Sequence, residues 1–201
     1  WFNKIQEKVI IVGGAGGISS NTIFQLARVH PKSIYIFDDD TVEEVNLAGQ
    51  MFNNDSVGKK KVDAIANIIK DFCRYESVFD NMKARKIFFN NWCKHVDKQK
   101  DKSKCLFIDA RLSFDTLQVF TITGDDEFNK TRYEKEFLFS DNEADETICS
   151  LKQTTFMACM IASFIVNNVV NFCANEITPM IKQLPFFIEY DSNLMYLKES
   201  E

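Results

Sequence analysis

A glycine-rich turn between a short apolar strand and a helix is the feature that most constrains the fold of this chain. The apolar residues of 8–12 lead into Gly13-Gly14-Ala15-Gly16-Gly17, and a helical pattern follows over about residues 19–29. A second apolar run, Ser33–Phe37, then ends in three aspartates. This order of strand, glycine turn, helix and strand is typical of open α/β folds, in which ligands bind at the carboxyl ends of parallel strands.

Later segments continue the alternation of helices and strands. Helical spacing of apolar residues between Ser56 and Phe72 precedes a short strand at 77–79, and residues 82–93 are again helical in pattern. Further strands are predicted at 105–108, 116–121, 185–190 and 194–197. We therefore expect an α/β fold with a Rossmann-like, mostly parallel sheet and an antiparallel C-terminal extension. Because no repeat or proline-rich linker divides the chain, we expect a single domain over 1–201.

The composition excludes several classes of protein. A formal charge of −5 and a pI near 5.2 argue against a general nucleic-acid binder, which normally carries a basic excess. The six cysteines never form a C-x-x-C pair, the spacing that structural zinc sites and thioredoxin-type redox motifs use. We therefore expect no zinc, reduced thiols and a cytoplasmic location.

One segment, residues 153–175, is long and uncharged enough to resemble a membrane span. Asparagine, glutamine and threonine side chains interrupt it, and no aromatic and basic residues flank its ends. A helix buried in a protein core is therefore the favoured interpretation, and no membrane association is expected.

Two blocks of opposite charge lie in the middle of the chain. Residues 82–104 contain eight basic and two acidic residues, whereas residues 121–148 contain nine acidic and three basic residues. Both blocks fit solvated loops, and both also fit surfaces on which a partner docks. The acidic block is long for a plain connection, which favours a functional role such as folding over a basic or flexible tail.

The glycine turn nearly matches the G-x-G-x-x-G pattern of nucleotide-binding folds. Gly14, Gly16 and Gly17 permit a sharp turn and let phosphate approach backbone N–H groups at the positive end of a helix, while Ser19 replaces the last glycine. Asp38 follows Gly14 by 24 residues, where an acid would reach a ribose hydroxyl. These features also fit an NAD(P)-dependent oxidoreductase or a turn that binds nothing.

The motifs that follow discriminate between these possibilities. They are Asp38-Asp39-Asp40-Thr41-Val42, Asn46-Leu47-Ala48-Gly49-Gln50, Gly58-Lys59-Lys60-Lys61, and Asp80-Asn81 followed by Arg85. In this order and spacing, after the glycine turn, they resemble the ThiF/MoeB family of adenylating enzymes, which includes the catalytic domains of ubiquitin-activating enzymes. The resemblance covers about residues 8–120 and is looser beyond them.

The resemblance implies that a protein's C-terminal carboxylate attacks the α-phosphate of ATP, giving an acyl-adenylate and pyrophosphate. It assigns nucleotide binding to Gly14, Gly16, Gly17, Asp38, Asp40, Asn46, Gln50, Lys61, Asp80 and Asn81. Within that set, Asp38 would hold the ribose, Asn46 and Lys61 would contact the phosphates, and Asp80 would bind Mg²⁺. These residue types suit the reaction, because the charge that develops at phosphorus requires cations and hydrogen-bond donors.

Each of these residues also has a structural interpretation. Asp38 or Asp40 could cap a turn, and Asn46 could serve a turn. Asp80 could cap the next helix, and Lys61 could be a solvated charge. Arg85 could pair with a carboxylate and take no part in catalysis.

Two departures from the family pattern bear on catalysis. Gly49 stands where the family has arginine in N-L-x-R-Q, so a guanidinium expected near the triphosphate is absent from that position. Arg111, after Asp109-Ala110, is the local residue that could replace it, and a partner subunit or a preceding segment could also do so. Cys149 is positioned to receive an activated carboxyl group, although an ordinary cysteine entering the core helix is the favoured interpretation.

The sequence therefore predicts an ATP- and Mg²⁺-dependent adenylyltransferase that activates the C-terminal tail of a ubiquitin-like protein or peptide. The expected catalytic residues are Lys61, Asp80, Arg111 and Cys149, and the resemblance implies a homodimer. A catalytically impaired nucleotide-binding scaffold, marked by Gly49, is the alternative. An NAD(P)-dependent oxidoreductase is the third possibility.

Overall fold

Two compact units make up the chain, and each is built on its own β-sheet. The computed structural model describes residues 1–73, 75–78, 85–113, 115–138, 154–178 and 182–200. The first unit comprises Trp1–Lys83 and Lys152–Leu184, and the second comprises Ala84–Leu151 and Pro185–Glu201. The prediction of a single domain over 1–201 stays a prediction.

A three-stranded parallel sheet forms the centre of the first unit. Its strands are β1 (Val9–Gly13), β2 (Ser33–Phe37) and β3 (Tyr75–Val78), in that spatial order. The described helices of this unit are α1 (Phe2–Ile5), α2 (Gly17–Arg28), α3 (Lys61–Ile69) and α6 (Thr155–Asn175). Short 3₁₀ turns lie at Glu44–Ala48 and Asn54–Ser56. The prediction of a parallel, Rossmann-like sheet is confirmed.

The register of this sheet brings strand ends together. β1 pairs with β2 from Val9 opposite Ser33 to Gly13 opposite Phe37. β2 also pairs with β3, which begins at Tyr75, two residues before the predicted start of that strand. The glycine turn after β1 and the aspartates after β2 consequently lie side by side at the carboxyl edge of the sheet.

Apolar side chains from the sheet and helices form the core of the first unit. Ile34 and Ile36 of β2 are fully buried, as are Ile23 of α2 and Ile65 of α3. Since β2 alternates buried and less buried residues, its isoleucines share one face of the pleated strand, against which α2 and α3 pack.

The uncharged segment forms the predicted helix, α6. Within the described part of the chain, α6 is long and apolar enough to cross a membrane, judged by length and composition alone. Half of its most apolar stretch is buried. α6 packs against α2, with Ala158, Ile161 and Ala162 fully buried. The small side chains on this face allow the two helices to approach closely.

The second unit is built on a four-stranded antiparallel sheet. Its strands, in spatial order, are β4 (Leu106–Leu112), β5 (Thr116–Thr123), β6 (Phe187–Asp191) and β7 (Tyr196–Ser200). Its helical elements are α4 (Arg85–Val96), α5 (Glu127–Arg132), a 3₁₀ turn at Lys102–Lys104 and a π-helical turn at Tyr133–Phe137. The prediction of an antiparallel C-terminal extension is confirmed, and its last two strands, β6 and β7, form a hairpin.

The core of the second unit is an aromatic cluster. Its buried members are Phe89, Phe107, Phe120, Tyr133, Phe186 and Phe187, joined by Ile122. The rings of Phe89 and Tyr133 have centroids 4.9 Å apart, and those of Phe120 and Phe187 lie 5.0 Å apart. Such contacts stabilise a core beyond the burial of their area, so much of the phenylalanine content of this chain serves packing.

Gly124, which follows β5, lies against the chain that leads into β4. A Cβ atom added to it would lie 2.3 Å from the carbonyl oxygen of Lys102. Because a backbone atom cannot swing aside as a flexible side chain can, we expect Gly124→Ala to destabilise the second unit by about 2 to 3 kcal/mol. Urea denaturation measures this loss. In Gly16→Ala, whose added Cβ meets nothing within 4 Å, the unfolding midpoint should barely change; equal losses would contradict the prediction.

Candidate functional site

The glycine turn joins the end of β1 to the start of α2 and leaves the helix end open. Gly14 adopts a φ of +97°, a left-handed conformation that favours glycine, and its N–H donates to the carbonyl of Phe37 at 2.6 Å. Gly16 occupies the N-cap position of α2, and no side chain caps this end. The first N–H groups of α2 therefore form a positive end suited to an anion.

Asp38 holds the glycine turn beside β2. Its Oδ2 accepts the N–H of Ala15 at 2.6 Å, and its Oδ1 accepts the N–H of Asp40 at 2.8 Å. Each carboxylate oxygen has a second lone pair that can accept a further bond. The structure thus bears out a turn-stabilising role for Asp38, while its contact with a ribose stays a prediction.

Lys61 forms an ion pair with Asp40 at the start of α3. The Lys61 ammonium lies 2.9 Å from Asp40 Oδ2, and the Lys61 N–H donates to the Asp40 carbonyl at 3.0 Å. Lys61 is only 7% exposed, whereas the Asp40 side chain is 52% exposed. The predicted alternative of a solvated Lys61 is therefore wrong, because the fold buries this lysine and holds its charge in one place.

Asn46 and Gln50 lie on and just after the 3₁₀ turn Glu44–Ala48. Asn46 Oδ1 accepts the N–H of Glu43 at 2.8 Å, which confirms that this residue serves a turn. The N–H of Gln50 donates to the carbonyl of Asn46 at 3.0 Å. Gln50 Oε1 is buried with no hydrogen-bond partner among the described residues. Because an unsatisfied buried acceptor is costly, this oxygen suits a donor supplied by a bound molecule.

Three successive aspartates after β2 bring carboxylate oxygens within 4.8 Å of one another. Asp38 already accepts two backbone N–H groups, and Asp40 pairs with Lys61.

The predicted Mg²⁺ ligand, Asp80, lies outside the described residues, as do Asn81 and Cys149. Their predicted roles stay predictions.

These features fit the phosphates of a nucleotide. Phosphate oxygens are acceptors, and the site offers the open end of α2 and a fixed ammonium as donors. A Cβ atom added to Gly16 would have no atom within 4 Å. The backbone of the glycine turn is therefore accessible at this point. The donor set and this opening therefore suit a phosphate group.

Arg111 belongs to a polar network in the second unit. Its Nε donates to Asp109 Oδ2 at 2.9 Å, its Nη2 donates to the Phe137 carbonyl at 2.7 Å, and its guanidinium lies 4.8 Å from the centroid of the Phe120 ring. These contacts give Arg111 a structural function inside its own unit. The proposal that it replaces the arginine missing at Gly49 stays a prediction.

Asp109 is the hub of this network. In addition to Arg111, it accepts from Arg85 Nε at 2.7 Å and from the Tyr133 hydroxyl at 3.0 Å. The prediction that Arg85 pairs with a carboxylate is confirmed. Burial, followed by the Asp109 charge, raises the pKa of Tyr133 well above its ordinary value, so the hydroxyl stays protonated and donates.

The cysteines of α6 differ in their surroundings. Cys173 is buried, which raises its pKa to about 11, so its reactive thiolate form is scarce at neutral pH. Cys159 donates its thiol proton to Asn21 Oδ1 at 3.3 Å. Cys173 therefore belongs to the core, whereas Cys159 is only partly buried.

Asn21 and Asp109 are the residues that sequence analysis did not identify as important. Asn21 carried a weak signal, because asparagine is unfavourable in a helix interior unless its side chain finds a partner. Asp109 carried none, because its partners Arg85 and Tyr133 are each 24 residues away in the chain.

Comparisons with known proteins agree with the motif analysis. Residues 2–78 match the model of the ThiF family. A "Ubiquitin-like modifier-activating enzyme 5" from Drosophila willistoni is 35% identical over 68 residues, 34% of this chain and 17% of that protein. A "Shikimate dehydrogenase (NADP(+))" from Methanobrevibacter smithii is 37% identical over 71 residues, 34% of this chain and 25% of that protein. The chain thus matches less than a third of either relative's length.

Solved structures of E. coli MccB share the fold over the whole chain. The structure with MccA-N7isoASN has a TM-score of 0.76 at 16% identity and covers 100% of this chain and 66% of MccB. The structure with ATP has a TM-score of 0.70 at 16% identity, with 100% and 65% covered. The predicted ThiF/MoeB-like α/β fold is therefore confirmed.

Proposed function

We propose, from the premise that residues 2–78 are a ThiF-family segment, that this chain binds ATP and transfers its adenylyl group to a carboxylate. The carrying observation is the open N-terminus of α2 behind the glycine turn, on the same sheet edge as the Lys61–Asp40 pair. Two relatives support it by name, a modifier-activating enzyme and an MccB solved with ATP.

In the proposed reaction, a carboxylate oxygen attacks the α-phosphorus of ATP. The new O–P bond forms as the bond to the β-phosphate oxygen breaks, giving an acyl-adenylate and pyrophosphate. The carboxylate needs no general base because it is ionised at neutral pH. The N–H groups of α2 and the Lys61 ammonium would hold the phosphates and stabilise the charge that develops on them. Mg²⁺, with Asp80 as its proposed ligand, would neutralise further phosphate charge.

The proposed acceptor is the C-terminal carboxylate of a ubiquitin-like protein or a peptide. The Drosophila relative is named as activating a ubiquitin-like modifier, and MccB was solved with an MccA-derived molecule. A homodimer and a cytoplasmic location are further parts of the proposal.

Pyrophosphate exchange tests this function. The chain is incubated with ATP, Mg²⁺, labelled pyrophosphate and a panel of peptides with free C-terminal carboxylates. Label entering ATP with one of these peptides, but not with its C-terminally amidated form, supports adenylation. Exchange that is equal with free and amidated peptides would contradict carboxylate activation.

A nucleotide-binding scaffold without turnover is the second candidate, and Gly49 is the observation that favours it. For such a scaffold, calorimetry would show ATP binding while no peptide supports exchange.

The similarity to a shikimate dehydrogenase keeps an NADP-dependent enzyme as a third candidate. Titrating the chain with ATP and with NADP⁺ side by side distinguishes an NADP-dependent enzyme from an adenylating one, since the adenylation proposal requires tighter binding of ATP.

Gly16→Ala should damage ATP binding while leaving the fold intact. Gly16 has a φ of −77°, which alanine adopts readily, and the added Cβ has open space. That space is where the phosphates would lie, so we expect ATP to bind about tenfold more weakly because bonds to the α2 N–H groups are lost. Calorimetry measures the affinity. Unchanged affinity in the folded variant would place the phosphates elsewhere.

A further inference from the structure

Polar side chains run along the contact between α2 and α6, where apolar packing would be the simplest arrangement. This α2–α6 seam consists of Asn21 and Gln25 on α2 and Cys159 and Ser163 on α6. Ser163 donates to Gln25 Oε1 at 3.2 Å, and Gln25 Nε2 donates to the Cys159 carbonyl at 3.3 Å. The seam lies entirely within the first unit.

Asn21 is the most buried of these side chains, at 2% exposure. Its Nδ2 donates to the Gly17 carbonyl at 2.8 Å and to the Gly49 carbonyl at 3.3 Å. Its Oδ1 accepts from the Cys159 thiol at 3.3 Å. Both amide hydrogens are therefore used, and the thiol contact favours the orientation of the carboxamide that points Nδ2 at the two carbonyls.

The two carbonyls belong to the two segments that the proposed nucleotide site must hold together. Gly17 is the first residue of α2, behind the glycine turn. Gly49 follows the 3₁₀ turn that contains Asn46, and it immediately precedes Gln50. One residue away, Ser20 Oγ accepts the N–H of Met51 at 3.0 Å and ties the same segments a second time.

We propose that Asn21 is a positioning residue for nucleotide binding, which fixes the segment of Asn46 and Gln50 against the glycine turn through its two carbonyl contacts. This inference rests on the proposed function. Asparagine is a weak helix former. Burying its amide inside α2 is also costly unless the donors and the acceptor of that amide are all hydrogen-bonded. If Asn21 only had to satisfy its own hydrogen-bonding groups, partners within α2 would be enough. Its bond to the Gly49 carbonyl instead joins α2 to a different segment of the chain.

Asn21→Asp is the decisive variant. The side chain keeps its shape, but a carboxyl group has at most one hydrogen to donate, when it is protonated, and so cannot bond to both carbonyl oxygens. We expect ATP affinity to fall about tenfold and amide hydrogen exchange in the 46–52 segment to accelerate. Thr22→Val is the matched control. Thr22 lies next to Asn21 at 5% exposure and donates to the Ile18 carbonyl within α2, at 2.9 Å. This control should lose stability without either effect.

Two variants at Cys159 keep the inference testable if Asn21→Asp does not fold. Cys159→Ala removes the donor that orients the Asn21 carboxamide and should weaken ATP binding about threefold. Cys159→Ser retains a donor and should bind ATP like the unaltered chain.

Four results are distinguishable. If the unaltered chain does not bind ATP, the proposed function fails and this inference fails with it. If the unaltered chain binds ATP and Asn21→Asp weakens binding no more than Thr22→Val, the proposed function stands and the inference is overturned. Equal ATP affinity in Cys159→Ala and Cys159→Ser would likewise overturn it. The expected pattern, with faster exchange confined to the 46–52 segment, supports it.

Discussion

Replacing Lys61 with methionine is expected to weaken ATP binding about 100-fold, a loss of about 2.7 kcal/mol. The Lys61 side chain is nearly buried, and the ion pair with Asp40 and the position of Lys61 at the start of α3 hold its ammonium in place. A charge that is fixed in position and partly shielded from water interacts more strongly with a phosphate group than the charge of a mobile surface lysine does. Methionine retains much of the length of the side chain but removes its charge.

Lys60→Met is the matched control for this experiment. Lys60 is adjacent and exposed, and its ammonium donates to the Asp39 carbonyl at 2.7 Å. It should change ATP affinity much less than Lys61→Met, as measured by calorimetry at two salt concentrations. If the two variants lose the same affinity, the effect belongs to the overall charge of the surface and the assigned role of Lys61 is wrong. The fold should survive, since Asp40 is half exposed and can be solvated without its partner.

Asp109→Ala is expected to destabilise the second unit by about 3 to 5 kcal/mol. Asp109 is 9% exposed and accepts hydrogen bonds from Arg85, Arg111 and Tyr133. Alanine removes the carboxylate that these three donors share, so the Arg111 guanidinium, whose side chain is 17% exposed, loses this charged partner in a poorly hydrated place. Such a loss exceeds the cost of deleting a surface ion pair.

Tryptophan fluorescence during urea denaturation measures this effect on the second unit. The chain has two tryptophans, Trp1 and Trp92, and Trp92 packs on the aromatic cluster. A Trp1→Phe background therefore reports on the second unit alone. Asp97→Ala, in which an exposed carboxylate loses a 2.8 Å pair with Lys102, is the control and should shift the midpoint little. Similar shifts for Asp97→Ala and Asp109→Ala would mean that the buried network is not stabilising.

The sequence by itself determined the elements whose causes are local. The glycine turn was predictable because Gly14 needs a left-handed φ that other residues adopt at a cost. The strands β1 and β2, the helix α6 and the two C-terminal strands followed from the spacing of apolar residues, although several boundaries moved by a few residues. Ordered motifs were also enough to recognise the ThiF/MoeB-like fold, which the family match and MccB structures confirm.

Only the tertiary structure decided which polar side chains pair. The sequence does not show that Lys61 pairs with Asp40, that Asp109 bonds to Arg85 and Tyr133, or that Asn21 bonds to Gly49. Hydrogen bonds and ion pairs require atoms to meet within about 3 Å, and residues far apart in the chain meet only after sheets and helices have packed. Periodicity records which face of an element is apolar, and it carries no information about which distant polar partner that face will meet.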